Sequence, residues 1–146
     1  MSFWESDGNL SRASERARGN FLIARQVFDG YRSNLRLFND GGEVLLGIRA
    51  MPLLGHTEGH CGYIIESGLQ SLLVWGDIVH FPQIQITRPD VSILFDQDPL
   101  QAVETRIKLL DLVSTEQLLI AGMHLGELVF AKIQRIKKSY DIVYEK

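Results

Sequence analysis

The sequence predicts a mixed α/β protein, a mixed β-sheet with flanking helices, and three observations lead there. Short apolar runs bounded by Gly, Asn, Asp and Ser recur from residue 35 to the end, as strands do. One long segment after Pro99 has helical periodicity, and the first thirty residues have helix punctuation without strand alternation. At 146 residues, the chain is long enough to bury one core, and we expect a single domain over 1–146.

The elements follow in order. Ser11 to Arg18 is polar and helical, with Ala13 and Ala17 as small contacts. Gly19-Asn20 punctuates it, and Asn20 is a good N-cap for a second helix, Phe21 to Phe28, closed by Asp29-Gly30. Leu35 to Phe38 reads as a strand, followed by a turn at Asn39-Asp40-Gly41-Gly42. Glu43 to Ile48, Ala50 to Leu54, Gly62 to Glu66 and Ser71 to Trp75 are further strands, the last two joined at Ser67-Gly68. Residues Phe81 to Phe95, broken by Pro82 and Pro89, read as an extended loop or irregular strand. Asp98 caps a helix with Pro99 at its first position. Along it Val103, Ile107 and Leu110 are the expected buried stripe, and Glu104 can pair with Lys108 one turn on. Leu118 to Ala121 is a short strand, and Phe130 to Ile136 with Tyr140 to Tyr144 forms a closing hairpin.

Composition narrows the function. A net charge of -3 offers no basic footprint for nucleic acid or for an anionic membrane surface. No apolar run reaches the length of a membrane span, and the N-terminus lacks the layout of a secretion signal. One cysteine, Cys61, excludes an internal disulfide framework and fits a reducing compartment. A cytoplasmic protein is the expectation.

The chemistry sits in three segments built alike: an apolar strand, a glycine, then a side chain able to bind metal. They are Met51-Pro-Leu-Leu-Gly55-His56, Leu73-Val-Trp-Gly76-Asp77 and Leu119-Ile-Ala-Gly122-Met-His124. Residues just past a central strand emerge at the rim of the sheet, where binding groups are held on a rigid support. Two imidazoles and a carboxylate converging there suit zinc, with iron or manganese as alternatives. A lone histidine after a strand is more often a hydrogen-bonded structural residue, and an aspartate there is more often a turn former. The threefold recurrence favours a site. So does the density of Gly55-His56-Thr57-Glu58-Gly59-His60, where two histidines, two glycines and a threonine fall in six residues.

In these motifs and their order the chain resembles the metallo-β-lactamase superfamily, whose members commonly carry Gly-His-Thr-Pro-Gly-His, then a strand ending in Gly-Asp, then one ending in a last histidine. The likeness runs from about Phe21 to the C-terminus. Trp75-Gly-Asp-Ile-Val-His80, Ile93-Leu-Phe-Asp96-Gln-Asp98 and Ala121-Gly-Met-His124-Leu125 look most like the methyl parathion hydrolase and lactonase branch.

The resemblance implies roles. His56 matches the histidine completing the first metal site, Asp77 the carboxylate bridging two zinc ions, and His124 a ligand of the second. Two such cations acidify a shared water for attack on an ester, lactone or phosphotriester. His60 matches a position behind the ligands, Thr57 sits beside it in the same motif, and His80 is expected only to line the pocket. Cys61 is expected to be a small packed residue.

Two features depart from the family. Glu58 stands where proline is usual, and the family's His-x-His-x-Asp-His motif has no counterpart, because residues 1–55 contain no histidine. With Asp77 as bridge, each ion keeps two protein ligands, against three or four in working zinc sites. The resemblance therefore implies the C-terminal half of a two-sheet αββα sandwich. We expect weak or absent zinc binding and no appreciable hydrolysis of a small-molecule substrate by this chain alone. The expected partner is either a complementing N-terminal half or a second copy in a homodimer, the latter being the route for a non-catalytic half-domain that only self-associates.

Overall fold

The computed structural model describes residues 1–38, 41–127 and 129–145. They form two compact units, 1–37 and 38–146.

The first unit is helical. Of α1 (Ser2–Glu5), α2 (Asp7–Arg12) and α3 (Glu15–Tyr31), the last two carry Ser6 and Ser14 as N-caps, which accept from the Asn9 and Ala17 amides. The expected break at Gly19-Asn20 is absent, since α3 runs through both residues and on past Gly30 to Tyr31. A mid-helix glycine costs about 1 kcal/mol, and tertiary contact offsets it: Phe21 is buried against Phe3 and Trp4, ring centroids 5.3 and 4.9 Å away. Arg25 ties the same three helices together by donating to the Trp4 carbonyl and to Asp7.

The second unit is built on a seven-stranded sheet whose spatial order follows the sequence. The strands are β1 (Glu43–Leu45), β2 (Ile48–Pro52), β3 (Cys61–Ser67), β4 (Gln70–Val74), β5 (Leu119–Ala121), β6 (Phe130–Ile136) and β7 (Ser139–Tyr144). All neighbours are antiparallel except β4 and β5, which run parallel. The link between that pair contains the short α4 (Pro82–Gln85) and the long α5 (Pro99–Thr115). Because β2 and β4 each oppose β3, and β5 parallels β4, the carboxyl ends of β2, β4 and β5 lie at one edge. All three motifs are therefore delivered to the same rim.

Most strand expectations hold, but Leu35 to Phe38 is not a strand. It has the apolar content of one and no partner ladder, and Phe38 instead sets its ring against Tyr63, 6.4 Å away. The turn expected there lies partly outside the described residues, at Asn39 and Asp40. The stretch from Phe81 to Phe95 is not extended either. It coils through α4 and successive turns, because Pro82 at a first helical position starts a helix as readily as it ends a strand.

One face of the sheet is covered by α5 and by the segment that follows β4. Leu73, Ile120, Ala131 and Ile133 are fully buried there with Trp75, Ile78, Val79, Leu110 and Val113. The buried stripe of α5 includes Ala102, Arg106, Leu109, Leu110 and Val113; of the expected Val103, Ile107 and Leu110, only Leu110 belongs to it, and Ile107 is 41% exposed. Polarity misleads here: Arg106 belongs to the core stripe, since its guanidinium donates to the Ile78, Pro89 and Val91 carbonyls. Glu104 and Lys108 do pair, at 3.8 Å. The opposite face carries Ile65, Leu72, Val74 and Leu119, all half-buried, and Phe130, which is exposed.

Candidate metal centre

Each rim loop is held by a separate device. After β2, the His56 and Gly55 carbonyls accept from the amides of Gln97 and Asp98, at 2.9 Å each, so the loop is tied to the start of α5. Gln97 also accepts from the Glu58 amide at 2.8 Å. Gly55 has φ +113° there, and Gly76 after β4 has φ +58°, values that side chains rarely tolerate. After β5 the requirement for glycine is different. A Cβ on Gly122 would lie 2.0 Å from the Trp75 indole nitrogen, so the chain must pass close to that ring before reaching His124.

These loops bring Asp77 and His124 together, Oδ1 to Nε2 at 3.2 Å. His80 joins them: one donor atom from each of Asp77, His80 and His124 lies within 4.8 Å of the others. The His80 ring stacks on His124 with centroids 4.0 Å apart and lies 4.9 Å from the ring of His56. His56 stands at the edge of the cluster and is nearly buried, at 7% exposure.

Hydrogen bonding assigns the tautomers, because a carbonyl or carboxylate oxygen only accepts. His56 Nδ1 lies 3.0 Å from Asp96 Oδ1, so Nδ1 carries the proton and Nε2 keeps its lone pair. His80 Nδ1 donates to the Asp77 carbonyl at 3.1 Å, which also leaves Nε2 open. His60 differs. Its Nδ1 donates to the Leu53 carbonyl at 2.8 Å while Nε2 accepts from the Asp77 amide at 3.0 Å. Both nitrogens are occupied, so His60 has no lone pair for an ion; it fixes the backbone of Asp77. Burial holds its pKa below the usual imidazole value, which keeps it neutral in that role. Thr57 accepts from the His60 amide through its carbonyl at 3.0 Å and shapes the loop.

Three further residues support the rim without having been singled out for a role from sequence. Asp96, whose side chain is 1% exposed, holds His56 with one oxygen, accepts from the Ile93 amide with the other, and lies 3.5 Å from Arg106. Burial lowers the Arg106 pKa and Asp96 opposes that shift. Gln85, fully buried, accepts from the amides of His80 and Phe81 at 2.7 and 3.0 Å and donates to the Val91 carbonyl at 3.0 Å. The available signal was weak. Asp96 sits two residues before an obvious N-cap, and Arg106 and Gln85 look like surface residues until their partners are known.

The donor chemistry fits a divalent first-row ion. Two ligand atoms each about 2.0 Å from one ion stand about 3.3 Å apart at the tetrahedral angle, close to the 3.2 Å between Asp77 and His124. The expectation of weak or absent zinc binding counted two protein ligands per ion; the third donor, His80, was expected only to line the pocket.

No protein-family model matches the chain, and no curated protein matches it. Solved structures do. Over 99% of its length the chain superposes on AbOPH, a hydrolase in the beta lactamase superfamily, with TM-score 0.87 and 28% identity, covering 52% of that chain. It superposes equally far on AidC, a dizinc quorum-quenching lactonase, with TM-score 0.86, 18% identity and 52% of that chain covered. A probable metal-dependent hydrolase from Staphylococcus aureus matches over 80% of this chain and 42% of its own, with TM-score 0.65 and 23% identity. The chain thus spans about half the length of the first two structures it resembles. Its mixed seven-stranded sheet is the fold they share with it. Among the described residues, no helix is long and apolar enough to cross a membrane.

Proposed function

We propose that this chain supplies part of the site of a metal-dependent hydrolase, dinuclear with zinc when complete, acting on ester, lactone or phosphotriester-like bonds. The observation that carries the reading is the meeting of Asp77 and His124 at 3.2 Å on the rim, on a fold whose solved neighbours include AbOPH, a hydrolase, and AidC, a dizinc lactonase. When bound, the ions would supply a Lewis acid and acidify water at neutral pH. His56, Asp77 and His124 would hold them. The chain's own residues do the positioning. Asp96 holds His56 by Nδ1 and leaves Nε2 open, and His60 anchors the Asp77 amide. The remaining ligands would come from a His-x-His-x-Asp-His segment supplied with the other half of the fold.

The test is complementation. The 146-residue chain is expected to hydrolyse no lactone, thioester or phosphotriester appreciably by itself. Mixed or co-expressed with the complementary half of an AbOPH-like hydrolase, and with zinc, it should gain hydrolysis. Asp77→Ala should then raise the barrier by about 4 kcal/mol, a loss in rate on the order of a thousandfold. Activity that survives Asp77→Ala unchanged would exclude this assignment.

The open sheet face favours a second reading, in which the chain is a non-catalytic half-domain that self-associates. Ile65, Leu72, Val74, Leu119 and Phe130 lie on neighbouring strands there, and a contiguous apolar face is a feature of association surfaces. A twofold dimer burying sheet on sheet is the simplest cover. Sedimentation equilibrium at micromolar concentration should give a dimer or larger mass. A clean monomer that binds no hydrophobic dye would refute it.

A further inference from the structure

We infer that Asp77, His80 and His124 together hold one divalent first-row cation, with His80 as a ligand and His56 not required. This deepens the reading of the rim as a metal centre and rests on it, but it differs in the ligand set: three donors of this chain, on the loops after β4 and β5, suffice for one ion without the missing ligands.

Four observations support it. The three donor atoms lie within 4.8 Å of one another, and His56 is not among them. The His80 tautomer is set by its bond to the Asp77 carbonyl, which leaves Nε2 free. This is the arrangement by which histidine ligands are oriented in metal sites, one nitrogen donating to an oxygen and the other facing the ion. The ring has a rigid base: Gln85, itself fully buried, binds the amides of both His80 and Phe81, and Phe95 stacks on the ring at 5.9 Å. His56 is oriented in the same way by Asp96, but it lies on the loop after β2 and outside the cluster of three donors, and His60 has no free nitrogen.

Two histidines and one carboxylate on an open rim suit iron, cobalt, manganese or zinc in the divalent state, with coordination positions left for water or an oxygen ligand. One rearrangement is needed. Imidazoles bound to one ion at the tetrahedral angle have centroids about 5 Å apart, so the 4.0 Å stack of His80 on His124 must open by about 1 Å. Both rings lie partly exposed, with room to do so.

The test titrates the chain with Co2+, read by its visible absorption, and with Zn2+ in competition with a chromophoric chelator. One ion per chain is expected. His80→Ala and His80→Gln should each weaken binding by at least about 100-fold, beyond the 10- to 100-fold loss of a residue that only orients a ligand. His56→Ala should change it by less than about threefold. In the unsubstituted chain labelled with 15N-histidine, Zn2+ should shift the Nε2 resonance of His80, a readout that needs no variant to fold. If His56→Ala weakens binding strongly while both His80 variants and the His80 resonance are unaffected, the inference fails and the rim remains a metal centre with another ligand set. If no ion is retained, or binding is indifferent to both Asp77→Ala and His124→Ala, the inference and the metal reading fall together.

Discussion

Asp96→Ala will destabilise the second unit by about 3–5 kcal/mol, the cost of removing one member of a buried ion pair. Asp96 and Arg106 are each 1% exposed in their side chains and 3.5 Å apart. Alanine at position 96 leaves the Arg106 charge in the core with only carbonyl partners, strips the Ile93 amide of its acceptor, and leaves the His56 Nδ1 proton without a partner. These losses share one site and will not simply add. Removing both charges should cost less, because an apolar pair of similar volume leaves no uncompensated ion. Urea unfolding of Asp96→Ala beside Asp96→Leu with Arg106→Met measures this. A loss under about 1 kcal/mol for the single alanine variant would mean that water reaches the pair and that the network does not hold the rim.

Gly55→Ala should be as damaging, at about 3–5 kcal/mol, for a steric rather than an electrostatic reason. A Cβ at position 55 would lie 2.1 Å from the Ala102 nitrogen and 2.5 Å from its Cα. Those are backbone atoms in the first turn of α5, so no side chain can rotate away. The φ of +113° adds strain for any residue with a Cβ. Either the loop lifts from α5 and carries His56 with it, or the helix start shifts. Gly59→Ala is the control. Its φ is +76° but no atom lies within 4 Å of the new Cβ, so it should cost only about 1–2 kcal/mol. Thermal unfolding of the two variants separates clash from conformational strain, and equal losses would show that packing against α5 is not what requires glycine.

Much of the rim was legible locally. Strand followed by glycine followed by His or Asp is a short-range pattern, and the structure does place all three such segments at the carboxyl ends of β2, β4 and β5. The cap at Asp98 and the hairpin of β6 and β7 were equally readable, since caps and turns depend on a few consecutive residues. The helix from Glu15 to Tyr31 was less so. Its glycines speak for a break, and the packing of Phe21 on residues of another helix overrides them.

What the sequence alone determined, then, is the fold class, the strand-and-rim layout and the positions of His56, Asp77 and His124. Only the tertiary structure decided what each histidine can do. His60 and His80 look alike in sequence, yet one has both nitrogens bonded and the other keeps Nε2 open in a ring that stacks on His124. His60 Nε2 is taken up by the Asp77 amide from the next rim loop, whereas the bond of His80 stays within its own turn, to the Asp77 carbonyl three residues back. Asp96, Gln85 and Arg106 were hidden for the same reason: a polar side chain belongs in the core only once its partners are there, and its own identity does not reveal them.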